Sequence, residues 1–182
     1  MTIGRTKHFH LVAAALALGL CLSGAPTMAA DTPDAWITMK TKIALMTTDN
    51  VSAADLNVDT VNGVVTLHGK VASDAAKQKA ETVAQGIEGA KSVKNLLQVV
   101  AKPQRDAVSD NDDVISDHVK KAFDADSVID GSGISVASVN KGVVLLSGNA
   151  KSIDAHLRAV EVASKVPGVR RVASEVKVEG TN

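Results

Sequence analysis

The sequence predicts an α+β fold of two tandem α-β-β-α-β domains, each a three-stranded mixed sheet with two helices on one face. Three observations predict it. A hairpin-like stretch is written twice, as Leu56 to Gly69 (LNVDTVNGVVTLHG) and as Ile134 to Gly148 (ISVASVNKGVVLLSG). Each copy has an alternating apolar run, a turn on Asn and Gly, a second apolar run and a closing Gly. A helical stripe then follows each hairpin at identical spacing: Ala76, Ala80, Val83, Ala84 and Ile87 recur as Ala155, Ala159, Val162, Ala163 and Val166. Finally, the first helices are equivalent at an offset of 78 residues and the second helices at 79, which places the extra residue at Lys141 in the second turn.

The 182 residues leave room for two small domains of about 65 residues each once an export signal is set aside. Residues 1–30 carry Arg5, Lys7, His8 and His10 ahead of an apolar stretch from Leu11 to Leu22, followed by the small residues SGAPTMAA. That is the layout of a secretory signal peptide cleaved after Ala29 or Ala30. The apolar stretch is short for a membrane span. Cys21, the only cysteine, leaves with the signal, because Leu20 stands where a lipid-attachment site takes Gly, Ala or Ser. The mature chain then has no thiol, which excludes disulfides, thiolate catalysis and Cys-ligated metals. Without Arg5 and Lys7 it carries 18 basic against 20 acidic side chains, a balance that excludes a general nucleic-acid binder.

The first helix runs from Asp34 to Met46, with Ile37, Thr41, Ala44 and Leu45 at helical spacing, and its counterpart places Ile115, Val119, Ala122 and Phe123 on one stripe. Trp36 and Phe123 are the aromatics of the mature chain, and both read as plugs between helix and sheet. In the hairpins, alternation turns Leu56, Val58, Val65 and Leu67 toward one core, and Ile134, Val136, Val144 and Leu146 toward the other. The opposite faces read Val64, Thr66 and His68 in the first copy and Val143, Leu145 and Ser147 in the second. The more apolar second face is a contact surface between domains or with a partner. Ser73 and Ser152 are N-caps of the second helices, and Gly89 and Pro167-Gly168 stop them. Val93, Leu97 and Val99, or Val172, Val176 and Val178, line the core side of the last strand. The crossover through each second helix is right-handed if its flanking strands are parallel. Ala101 to Asp112 (AKPQRDAVSDND) is polar and Pro-bearing and reads as a linker.

No chemical constellation stands out. His68, His118 and His156 lack metal-ligand spacing and read as surface histidines. No nucleophile-elbow motif supports a Ser-His-Asp arrangement. Gly86-Ile87-Glu88-Gly89 matches a bare GxxG, but the second copy replaces it with Lys165-Val166-Pro167-Gly168. Catalytic residues, metal ligands and cofactors are therefore expected to be absent, and the basic pairs Lys120-Lys121 and Arg170-Arg171 occur in the second copy alone.

The Asn-Gly hairpin closing on Gly69 or Gly148, the Ala- and Val-striped helix, the Gly89 or Pro167-Gly168 stop and the final Val-rich strand together resemble the BON domain. The resemblance covers Asp34 to Val178 and divides the chain into a signal peptide (1–30), a first domain (31–100), a linker (101–112) and a second domain (113–179). It implies a periplasmic, non-enzymatic protein of the envelope or osmotic stress response, whose partners are phospholipid surfaces or client proteins. Two placements follow from the residues. An anionic phospholipid surface would meet the second domain's first helix at Lys120, Lys121 and Phe123, where cations and an apolar anchor occupy neighbouring faces. Alternatively, a chaperone-like or scaffolding protein would hold exposed apolar segments of periplasmic clients on the Val143 and Leu145 face.

Overall fold

The computed structural model describes residues 32–180; the signal peptide expected over residues 1–30 lies outside them. The first repeat contains α1 (Asp34–Met46), β1 (Leu56–Val61), β2 (Val64–Val71), α2 (Asp74–Gln85) and a last strand in two pieces, β3 (Ser92–Asn95) and β4 (Gln98–Val99). The second contains α3 (Arg105–Asp124), β5 (Ile134–Asn140), β6 (Val143–Ala150), α4 (Ile153–Ser164), β7 (Arg171–Ser174) and β8 (Lys177–Val178). In each sheet the second strand is central, antiparallel to the first and parallel to both pieces of the last. The α+β, α-β-β-α-β architecture is as the sequence predicts, with one addition: each third strand is interrupted. Leu97 N–H donates to Asn95 Oδ1 at 3.2 Å, and Val176 N–H to Ser174 Oγ at 3.2 Å. These local side-chain bonds compete with the ladder at that point.

Alternation fixes the core face. Leu56, Val58, Val65 and Leu67 are buried with Ile37 and Leu45 of α1, Ala76, Ala80 and Ala84 of α2, and Leu97. The second core repeats this with Val144 and Leu146 against Ile115, Val119 and Phe123 of α3 and Ala159 and Ala163 of α4. The alanine stripes let α2 and α4 lie close to the sheets. Ser73 Oγ accepts from Ala76 N–H at 3.2 Å and Ser152 Oγ from Ala155 N–H at 3.1 Å, each cap contributing about 1 kcal/mol.

The hairpin turns are anchored from the first helices. Asn62 and Gly63 have φ of 54° and 79°, and Lys141 and Gly142 have 50° and 72°, the all-positive pattern of a two-residue type I′ turn. Asp34 accepts from the Asn62 and Gly63 amides at 2.7 and 2.8 Å, and Asp112, its counterpart, accepts from the Lys141 and Gly142 amides at 2.8 and 2.9 Å. Both turns therefore have two residues, and the extra residue of the second repeat is not Lys141. It is Ala137, which stands between the pairs Val136–Leu146 and Ser138–Leu145 as a β-bulge. The bulge lets Val136 and Val139 both pack on the core side while Ser138 and Asn140 turn to the other face. At the open end of each hairpin, a Cβ on Gly69 or Gly148 would fall on the carbonyl oxygen of Asp55 or Gly133, so the closing glycine is a steric requirement.

Residues 101–112, read as a linker, carry regular structure. Lys102–Gln104 forms a 3-10 turn and α3 begins at Arg105, ahead of Asp112. Pro103 sits in that first turn, where its missing N–H costs nothing. Arg105 ties the new helix to the first repeat through Asp55 and the Val100 carbonyl.

The two sheets pack back to back through their outer faces. Thr66, His68 and Leu96 on one side and Val143, Leu145 and Ala173 on the other are buried. Val143 and Leu145, read as a surface between domains or with a partner, are at 8% and 1% exposure a contact between the repeats, and so are not open to a client. His68 is likewise buried rather than on the surface: its Nε2 lies 2.8 Å from Asp59 Oδ2 and its Nδ1 2.9 Å from Ser138 Oγ across the interface. Nε2–H donates to the carboxylate, and the Nδ1–Ser138 Oγ hydrogen bond ties the two sheets together. Lys70 Nζ, nearly buried, meets Asp112 Oδ2 at 3.0 Å and Ser109 Oγ at 3.0 Å. Lys94 donates to the Ser174 carbonyl and Lys141 to the Val99 carbonyl, both at 3.2 Å.

Asp112 thus holds a turn and an ion pair between repeats at once. Asp112→Ala removes the counter-ion of the nearly buried Lys70 and strands two turn amides, and is expected to cost about 3 kcal/mol or more, against about 1–2 kcal/mol for Asp34→Ala, read from urea midpoints at constant m. The hydrogen bond from His68, followed by the fields of His68 and Lys42, holds the Asp59 carboxyl below its ordinary 3.8 despite partial burial. A lowered folded-state value contributes stability above the unfolded value and loses it as pH falls through the folded one. Asp59→Asn is therefore expected to shrink the loss of stability as pH falls below the ordinary carboxylate value of about 4, measured by denaturation at each pH; an unchanged acid limb would contradict this.

Candidate functional site

With one face of each sheet on its helices and the other on its twin, the helices' outer sides are the broad surfaces left. α1 is apolar on two sides. Ile37, Thr41 and Leu45 face the core, whereas Trp36, Met39, Ile43 and Met46 are exposed by 46, 43, 55 and 68%. Their i, i+3, i+7, i+10 spacing makes one continuous stripe. Lys40 and Lys42 border it on opposite sides. Lys40 Nζ sits 5.5 Å from the Trp36 ring centroid and 3.0 Å from Glu88 Oε2, which leaves Lys42 as the exposed lysine beside the stripe.

Trp36 is therefore not a core plug, unlike Phe123, because the core side of α1 is already filled by Ile37 and Leu45. The sequence carried the signal: a second apolar row opposite the first. The equivalent positions of α3, 78 residues on, are Val114, Asp117, Lys121 and Asp124, so the apolar stripe belongs to the first repeat alone.

The α3 residues expected to meet phospholipid do not come together as an anchor. Phe123 is 6% exposed within the second core and cannot reach a surface. Lys120 is exposed and lies 3.8 Å from Asp117. Lys121 is exposed on the rim of a shallow groove between α3 and α4 whose floor is Ala122, Val162, Val166 and Pro167. The same rim holds Arg158, which Asp126 and Glu161 engage at 2.7 and 3.1 Å, and Lys165, 2.5 Å from Glu161. The hydrogen bond from Arg158 lowers the Asp126 carboxyl below its ordinary value, and that from Lys165 does the same for Glu161. These exposed pairs neutralise most of the rim and add little stability.

The Asp59–His68–Ser138 row contains the residue types of a hydrolytic triad, but its geometry is that of a tie. Ser138 Oγ also takes a hydrogen bond from Asn140 Nδ2 at 3.2 Å, and the imidazole is 5% exposed between the sheets. Among the described residues, no group of three or more His, Cys, Asp or Glu side chains is placed to hold a metal ion, and no helix is long and apolar enough to cross a membrane.

Comparison with known proteins agrees with the repeat. The BON domain model matches the chain twice, over residues 33–101 and 111–180. Osmotically-inducible protein Y of Escherichia coli (strain K12) is 35% identical over 152 residues, covering 80% of this chain and 73% of the relative. The outer membrane lipoprotein DolP of Haemophilus influenzae is 33% identical over 122 residues, covering 67% of this chain and 62% of the relative. Among solved structures, the C-terminal domain of CdsD, a structural protein of the type III secretion system of Chlamydia trachomatis, aligns with 78% of this chain and 63% of its own length at 15% identity and a TM-score of 0.31. Two matches to one family model, in register with the two α-β-β-α-β repeats, make this chain a member of the BON domain family.

Proposed function

We propose that the protein is a non-enzymatic periplasmic component of the envelope response to osmotic stress and docks on phospholipid surfaces through the outer face of α1. Similarity to an osmotically-inducible protein and to an outer membrane lipoprotein supports the setting. The observation that carries the docking is the exposed Trp36, Met39, Ile43 and Met46 stripe bordered by Lys40 and Lys42. An amphipathic helix of this kind lies in the plane of the headgroups, with its apolar side chains in the acyl boundary. Tryptophan favours that boundary because its ring is apolar and its N–H is polar.

Charge assists only weakly. Glu88 neutralises Lys40, and the chain as a whole has formal net charge +0. Apolar insertion therefore dominates, and the salt dependence is shallow compared with that of a polybasic patch at about 1 kcal/mol per cation. The chaperone-like reading shares this surface, since methionine-rich faces adapt to varied apolar partners; clients then compete with the bilayer for α1.

Trp36 is the single tryptophan of the chain, so intrinsic fluorescence reports on α1 alone. On adding anionic phospholipid vesicles, its emission is expected to shift to the blue and the protein to sediment with them. Trp36→Ala and Ile43→Ala are each expected to weaken sedimentation about tenfold, from the roughly 1–2 kcal/mol of burial that each loses, whereas Lys120→Glu with Lys121→Glu leaves it within a factor of about three. No sedimentation at low salt would defeat the phospholipid reading. If α1-dependent protection of an unfolding protein persisted in that case, the client reading would replace it.

A further inference from the structure

We infer that the exposed edge of β1 is a second binding site, independent of the α1 stripe, and that it takes an extended segment of another polypeptide as an added strand. β1 pairs with β2 on one side and with no strand on the other among the described residues. In a two-residue hairpin the pair flanking the turn, here Val61 and Val64, exchanges backbone hydrogen bonds. The alternation continues through Asp59–Thr66 and Asn57–His68, so the N–H and C=O groups of Val58 and Thr60 point out of the sheet. They open on a trough of about 860 Å³ that runs along residues 57–61, a volume within the range of ligand sites.

The far wall of the trough supplies the second argument. The outer face of the second sheet is covered by the first sheet at Val143, Leu145 and Ala173. Beyond them it continues as Ser147, Asn149, Glu175 and Lys177, which line the trough instead. The first sheet is one strand short of covering its partner. A segment hydrogen-bonded to Val58 and Thr60 would extend the interface between the repeats by that missing strand, with alternate side chains directed at Thr38 and Lys42 of α1 and at the Glu175 and Lys177 row. Backbone bonding of this kind gives affinity with little demand on sequence. The wall nevertheless favours mixed charge: Lys42 and Lys177 oppose Asp59 and Glu175, and Glu175 Oε1 is buried with no hydrogen-bond partner among the described residues. This goes beyond the phospholipid reading and does not need it.

The test uses a fluorescent decapeptide in which threonine alternates with lysine and glutamate in turn, and the same peptide methylated at every second backbone nitrogen. The unmodified peptide is expected to bind and to slow amide exchange of Val58 and Thr60 about tenfold at saturation. The methylated peptide and the variants Asn149→Phe and Thr60→Pro should each bind about tenfold more weakly. Asn149 is exposed, so Asn149→Phe blocks the trough without touching the core and decides the matter alone if Thr60→Pro fails to fold; it should leave vesicle sedimentation unchanged. Equal binding of the methylated peptide, exchange protection away from β1, or no binding at about 1 mM peptide would each overturn the assignment. Peptide binding that survives a failure of vesicle sedimentation would remove the phospholipid reading and leave this one standing.

Discussion

The packing of one sheet's outer face on the other is the constraint on which the rest of this molecule depends. A three-stranded sheet with helices on one side has a second side to protect, and a domain of this size gains stability steeply with every buried apolar group. Here the duplicated domain supplies its own cover. Leu96, Leu145 and Ala173 form a small apolar centre, and around it polar groups reach across in pairs: His68 to Ser138, Lys70 to Asp112, Lys94 and Lys141 to backbone carbonyls. Thr66 Oγ1, in the same layer, is buried with no hydrogen-bond partner among the described residues.

This arrangement couples local structure to the joint between repeats. The carboxylate of Asp112 holds the amides of the second hairpin turn, where Lys141 adopts a φ of 50° that a lysine seldom takes. The same carboxylate neutralises Lys70 of the other repeat. In the first repeat, Asp34 performs the turn-holding task with an exposed turn residue, Asn62. The duplicated unit therefore has one anchoring device, and the second copy has recruited it to the interface. The early start of α3 serves the same joint, since Arg105 and Ser109 on the added turns bond to the first repeat.

Covering the sheets leaves function to helix faces and strand edges. Of the first helices, α1 has a second apolar row, whereas α3 has charges at three of the four matching positions. Divergence between otherwise equivalent elements is informative because the shared fold does not require it. The two repeats keep the same pattern of inward positions and differ more on the outward ones, which is where selection for contact with something else can act without disturbing either core.

Much of the fold was written in the chain. The limits of α1, the core faces of both hairpins, the two serine caps and the alanine stripes depend on periodicity and capping, which are local properties of ten to twenty residues. Three features were not. Lys141 and Ala137 are equally good places for an added residue until strand register shows which one lacks a partner. Polar residues 105–112 resemble a linker in composition, yet they form the first turns of α3 and bond to Asp55, Lys70 and Val100. His68, Val143 and Leu145 alternate as solvent-facing positions must, yet they are buried, because alternation tells which face of a sheet a residue occupies and not what covers that face. The same gap misplaced the candidate surface: Phe123 and Trp36 hold matching helices at different angles, and one is core and the other exposed because in α1 the inward positions were already taken by Ile37, Thr41 and Leu45.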